Sequence, residues 1–404
     1  MTEWARRTTG ARIKALRGGS MTQEELAAAA ELSVKTIQKV EQGRGDLSVR
    51  SLLRVAVALG TDVAVVTGQQ EPTQGMELGE RAALRAVSAA VHDSAMGLAA
   101  EGEPDPVEDL AAQGRRADAA FWSGRYTEVG AALSVLLPQA RAAYDAACGA
   151  ERERAAGVLA DGYQTAAVLA NVLGARDLGY AAITYGRQVA EQAGDDLRTA
   201  HLAASLSWIY LRDGHTGKGV AVAERYAGAI EPRMSDRDPD RLSVYGQLVT
   251  NAAVAASRGG GAAEAARDYL SQAHAVAARI GSEHARGGHN QPFGPSYAAT
   301  QALSVAIALG DVGRAVRLID TVRLDAALPL ATRARFHLDV ALTRTETRQW
   351  EAAGSALEKV CGMAPNWVAH QALFGAVVER MAAAVPGPRV NRIAARGGVT
   401  LGTR

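Results

Sequence analysis

A chain of 404 residues with 48% hydrophobic and 22% charged residues carries enough apolar mass for two or three buried cores, and lacks the composition of a disordered or fibrous protein. Its net charge of +1 argues against a polyelectrolyte that binds nucleic acid by bulk charge. No apolar run reaches the roughly 18 residues of a membrane span, the first residues lack an apolar secretory leader, and Cys148 and Cys361 form no C-x-x-C pair. The expected setting is the cytoplasm, with no membrane, no metal and no cofactor.

The charge is unevenly placed. Residues 1–70 hold ten Lys/Arg and seven Asp/Glu, a net of +3, while the remainder holds 34 and 36. Within that first segment the apolar spacing predicts four or five short helices. Ile13 and Leu16 mark the first. Thr22, with Glu25 three residues on, has capping-box spacing and opens a second that buries Leu26 and Ala27. Ser33 caps a third carrying Val34, Ile37 and Val40, and Gly43 closes it. Ser48 caps a fourth with Leu52, Leu53, Val55, Ala56 and Leu59 inward. Val63, Val65 and Val66 finish the unit.

Residues 71–106 read as a linker with one helix, since "GQQEPTQGMELGE" (68–80) and "EGEPDP" (101–106) are polar and rich in Gly and Pro. From 107 to 384 the pattern repeats. Ala-rich amphipathic segments alternate with Gly or Asp turns at "LGARD" (173–177), "RDGHT" (212–216), "RGGGA" (258–262) and "LGDVG" (309–313). Strand signals are nearly absent. The fold class predicted is all-α: a five-helix head followed by a helical-hairpin solenoid, in which each pair buries its apolar face by stacking on its neighbours. Residues 385–404, with Pro, Gly and four arginines, read as a basic disordered tail.

The stretch 22–44 has the chemistry of a helix-turn-helix, whose second helix enters the major groove. Lys35 and Lys39 lie four apart on one face and can donate to guanine O6/N7, and Val34 can meet a thymine methyl. Gln38 flanks that face. Thr22, Gln23, Thr36, Gln42 and Arg44 are placed to touch phosphates. Residues 16–17 "LR", 22–27 "TQEELA", 33–44 "SVKTIQKVEQGR" and 47–60 "LSVRSLLRVAVALG" closely resemble the XRE family, the Cro/phage-repressor type of helix-turn-helix. The resemblance implies base contacts from Val34, Lys35 and Lys39, phosphate contacts from Gln23, Thr36 and Gln42, and a brace between Arg17 and Glu41. Two departures stand out: a shorter loop at "GGSM" (18–21), and Glu31 where the family prefers Gly.

The larger part resembles actinobacterial XRE regulators with a C-terminal TPR-like domain, through "ADAAFWSGRYTEV" (117–129), "LADGYQTAAVLANVLGARDLGYAA" (159–182), "DPDRLSVYGQLVTNAAVAA" (238–256) and "FGPSYAATQALSVAIALGD" (293–311). That implies a ligand- or partner-sensing domain. Tyr297 stands where relatives tend to have Asn. Solenoids bind on the concave side, so the pocket candidates are Asn171, Arg198, His201, Trp208, Tyr245, Asn251, Phe293, Tyr297 and His337. The aromatics among them serve equally as packing between helices. His284 and His289 lack metal-ligand spacing. No P-loop, H-E-x-x-H, G-x-S-x-G or strand-borne G-x-G-x-x-G occurs, so an enzyme is not expected.

The expected protein is a homodimeric regulator that binds double-stranded operator DNA and answers to a peptide or small-molecule effector. The alternative is an interaction scaffold whose helix-turn-helix tethers a partner protein to DNA, without a small ligand. An enclosed apolar cavity favours the first, and an open polar groove favours the second.

Overall fold

A computed structural model describes residues 4, 7–18, 21–59, 61–68, 78–98, 102–289, 291–399 and 401. Among these the chain is all-α, and the single β pairing is an isolated bridge between His284 and Phe293.

Among the described residues the head has five short helices with both ends defined: α1 (Thr9–Arg17), α2 (Gln23–Ala29), α3 (Val34–Glu41), α4 (Val49–Ala58) and α5 (Val63–Val66). Each begins on a side-chain cap. Thr8, Thr22, Ser33, Ser48 and Asp62 accept from backbone N–H groups that the helices leave free. Thr22 and Glu25 close a reciprocal capping box. Ile13, Leu26, Ala27, Ile37, Val40, Leu52, Val55 and Val66 form the core. Gly10 permits a close crossing of α1 on α3, because a Cβ there would lie 1.8 Å from the Val40 carbonyl oxygen. In the turn between α2 and α3, Glu31 takes φ 52°, the left-handed conformation that favours glycine. The turn therefore keeps a glycine-like shape around a side chain.

The body begins with α6 (Leu78–Ala95), which buries Val87, Ala90 and Val91 along α8 (Tyr126–Ala146). Residues 78–95 are thus integral to the body rather than a linker helix. Residues 69–77, the start of the expected linker, lie outside the described residues. Hairpins follow: α7 (Val107–Trp122) with α8, α9 (Gly149–Val172) with α10 (Arg176–Gln192), α11 (Asp196–Arg212) with α12 (Thr216–Ala229), and α13 (Pro239–Arg258) with α14 (Ala263–Ile280). Then come α15 (Pro295–Leu309) with α16 (Val312–Thr321) and α17 (Leu330–Glu346) with α18 (Trp350–Met363). The first helices of successive pairs also pack on one another. Glycines at positive φ end the first helix of most pairs: Gly124, Gly174, Gly214, Gly261 and Gly310. At four of these turns the next residue donates its N–H back to the carbonyl five residues before it, as from Ala175 to Ala170 at 2.8 Å. Before α18, Arg348 occupies that conformation instead, with φ 58°.

The arc of hairpins closes on itself. The α7–α8 turn meets α19 (Pro365–Val368), where a Cβ on Gly124 would lie 3.1 Å from the Trp367 nitrogen. Tyr126 stands edge-on to His370 at 4.9 Å, and His370 Nε2 lies 2.9 Å from Glu80. Each end of the stack thereby covers the other's apolar edge. Helix α20 (Ala372–Ala384) precedes α21 (Pro388–Arg396). The expectation of a disordered tail is corrected for 388–396. Proline stands at the helix start, and Val390, Ile393 and Ala394 form an i, i+3, i+4 stripe buried against α18 and α20. Residues 400 and 402–404 lie outside the described residues.

The head is seated against this arc. Val49 and Leu53 join the core of α17, α18 and α20, and Ala376 of α20 joins the core of the head. Polar bonds cross the same junction. Arg12 Nη2 lies 3.1 Å from Glu379, the Val49 N–H donates to Glu346 at 3.0 Å, and Arg176 Nη2 donates to Asp62 at 2.7 Å.

Candidate nucleic-acid interface and the cavity behind it

The Ser33 cap sets the first turn of α3, with Thr36 N–H to Ser33 Oγ at 3.1 Å. That fixes which side chains project outward. Lys35 and Lys39 are exposed on one face, Val34, Thr36 and Gln38 are half-buried beside them, and Thr22, Gln42 and Arg44 are exposed at the edges. Docking engages α1, α4 and α5, so the lysine face of α3 stays open. Arg17 Nε lies 2.9 Å from Glu41, and Gln23 Nε2 donates to the same carboxylate at 2.7 Å. Burial disfavours the Glu41 anion, but Arg17 and Gln23 outweigh it and hold its pKa below the ordinary carboxylate range. Glu41 thus braces α1 and α2 against α3. The Gln23 amide, expected on phosphate, is turned to Glu41 here, and the Thr36 hydroxyl is within 2.7 Å of Ser33 Oγ.

Behind the head lies a cavity of about 250 Å³. Its walls come from both regions. The head supplies Leu53, Ala56, Val57, Asp62 and Val63, and the body supplies Trp122, Tyr126, Trp208, Arg212, Arg258 and Trp367 among others. Three of the nine pocket candidates line it: Trp208, Asn251 and Tyr297. Asn251 donates to the Ala204 carbonyl at 2.8 Å, and Tyr297 packs edge-on to Phe293.

The other six candidates lie elsewhere. Phe293 is fully buried against Gly246, where a Cβ would come within 2.1 Å of the ring. Asn171 is wholly buried, and its amide atoms have no hydrogen-bond partner among the described residues. Tyr245 packs half-buried beside the core of α13 and α14, and His337 stands edge-on to Phe336. Burial, with Lys359 and Arg333 nearby, pulls the His337 pKa down to about 4. Arg198 pairs with Asp161 at 2.9 Å beside a second hollow of about 260 Å³, and His201 lies edge-on to His289 at 4.9 Å. Burial keeps the His201 pKa well below its ordinary value.

Sequence reasoning missed Arg212, Arg258 and Arg335, and the contribution of the head to the cavity wall. Arg258 ends an apolar helix before a glycine turn, so it reads as an ordinary cation at a helix C-terminus. No group of His, Cys, Asp and Glu suited to a metal occurs among the described residues, and no described helix is long and apolar enough to cross a membrane.

No curated protein and no solved structure matches the chain. Residues 13–66 match the helix-turn-helix family model, so the head is an XRE-type helix-turn-helix, the kind of domain found in DNA-binding transcription regulators.

Proposed function

We propose that the protein is a sequence-specific transcription regulator whose body senses a small molecule and transmits its presence to the head. Val34, Lys35, Gln38 and Lys39 read base edges. Thr22, Gln23, Thr36, Gln42 and Arg44 hold the phosphate backbone, with Gln23 and Thr36 exchanging their internal bonds for DNA. The TPR-like body brings two copies together, so that two heads meet half-sites about 34 Å apart. The observation that carries this reading is the shared wall of the cavity: a ligand there touches α4 and α5 of the head and the body at once. Its occupancy therefore biases the placement of the heads by differential affinity. The aromatic side chains that line this partly open hollow support a small ligand over a gripped partner protein.

The test is a mobility-shift titration on an operator selected from random DNA. The Lys35→Ala/Lys39→Ala double variant should lose about a hundredfold in affinity, since each good base contact contributes about 1–3 kcal/mol. Its circular dichroism should match wild type. Unchanged binding rejects the assignment.

A further inference from the structure

The cavity holds an imbalance of charge. Asp62 is engaged by Arg176 at 2.7 Å and by Arg212 at 3.4 Å. Asp339 is engaged by Arg335 at 2.9 Å and by the Ser304 hydroxyl. Both acids near Arg258 are thus already committed to other cations. Arg258 lines the same cavity with no ion pair or side-chain hydrogen bond among the described residues. Burial, then the neighbouring Arg335, pull its pKa down to about 10, with Asp339 and Asp62 only partly offsetting them. The guanidinium is still charged at neutral pH. Arg258 is half-buried at the cavity wall, and a partly desolvated charge without a direct partner is the kind of group found where a ligand completes the site.

The remaining walls mix aromatic rings with neutral polar side chains. Trp122, Tyr126, Trp208 and Trp367 face the hollow, and Gln301 and Thr332 add neutral polar groups. We infer that the cavity takes a small amphipathic anion: a flat apolar body bearing one carboxylate or phosphate, with the oxyanion seated on Arg258 between Arg335 and Arg212. A guanidinium presents a fork of donors matched to either oxyanion. The inference rests on the reading of the cavity as the effector site and names the chemical class of the effector.

The experiment uses the full chain and two dyes that differ in charge. 8-Anilino-1-naphthalenesulfonate is an amphipathic anion, and N-phenyl-1-naphthylamine is its uncharged counterpart. Wild type should bind one anionic dye per chain, with quenching of tryptophan emission. Arg258→Met should weaken that binding at least tenfold while leaving the neutral dye unaffected, and Arg258→Lys should fall between. Without dye, Arg258→Met should melt no lower than wild type, because it removes an unmatched charge and keeps the bulk. Displacement by 1-naphthoate or by 1-naphthyl phosphate supports the inference and tells carboxylate from phosphate. Equal binding of the anionic dye by wild type and Arg258→Met overturns it, as does a marked loss of stability in both Arg258 variants. If the neutral dye binds and the anionic one does not, the anion assignment fails while the cavity reading stands. If neither binds stoichiometrically, both fail.

Discussion

The head and the body begin their helices by different means. All five head helices carry a side-chain cap. Between α7 and α21, among the described residues, only α11, α13 and α16 do, through Asp195, Asp238 and Asp311. Body helices instead stop at left-handed glycines and start where a neighbour receives them, as α8 and α10 do behind Gly124 and Gly174. The head thus encodes its boundaries in local chemistry, worth about 1 kcal/mol per cap. The body encodes them in reciprocal packing, which no single hairpin can supply.

The sharpest way to test that division is Arg12, which serves both regions. It is 1% exposed and donates to the Val66 carbonyl at 2.9 Å and to Thr9 Oγ1 at 3.1 Å within the head, and to Glu379 in the body. Burial lowers its pKa, and Glu379 counters the shift. Arg12→Ala should cost about 3–5 kcal/mol, the scale for removing one partner of a buried pair. Glu379→Gln keeps a polar partner at the junction and should cost less than half as much. Urea unfolding measures both. Equal losses would mean that the head depends on the body as much as the body's own hairpins do.

Legibility followed the same line. The head could be read because Thr22, Glu25, Ser33 and Ser48 stand at fixed offsets from Leu26, Ile37 and Leu52, and because Arg17 and Glu41 occupy the brace positions. The hairpins of the body were visible in their glycine turns. Its closure was not. Contacts such as Gly124 on Trp367 and Tyr126 on His370 join residues far apart in sequence, and an alanine-rich face is compatible with many partners. For the same reason the cavity could not be assembled: a part of its wall is the apolar back of α4 and α5, which from sequence alone is simply core. The tail was misread because Pro386, Gly387 and Pro388 signalled a loop more loudly than the stripe of Val390, Ile393 and Ala394 signalled a helix.

A second comparison concerns pH. Four of the five head caps are hydroxyls and do not titrate, whereas the body pins its longest loop with an ionisable pair. His289 Nε2 lies 3.4 Å from Asp161, and the loop closes through the His284–Phe293 bridge. Burial opposes protonation of His289, but Asp161 raises its pKa above the ordinary value, and Asp161 itself is held well below its own despite burial. The raised histidine contributes fully below about pH 6.5 and loses that contribution as pH rises through its folded value. The depressed aspartate contributes above about pH 4 and loses it as pH falls through its folded value. Amide exchange at His284 and Phe293, corrected for intrinsic rates, should therefore be faster at pH 8 than at pH 6. His289→Gln should remove the difference, while protection in α3 stays level. Equal protection of wild type at both values would show that the pair does not hold the loop.

The smallest effect separates two residues that break the same local rule. Glu31 in the head and Arg348 in the body are the non-glycine residues at positive φ among those described. An L side chain in that conformation costs roughly 1–2 kcal/mol, and glycine returns about 0.4–1 kcal/mol of this through the freer unfolded chain. Arg348 has no ion pair or side-chain hydrogen bond among the described residues, so Arg348→Gly should stabilise by about 0.5–1 kcal/mol. Glu31 pairs with Arg54 at 2.7 Å. Its carboxylate is half exposed, which limits that pair to about 0–1 kcal/mol, so Glu31→Gly should come out near zero. Thermal melts of the two variants side by side give the comparison. A loss well above 1 kcal/mol for Glu31→Gly would mean that the Arg54 pair carries the turn before α3, and that the head, too, relies there on packing beyond its own caps.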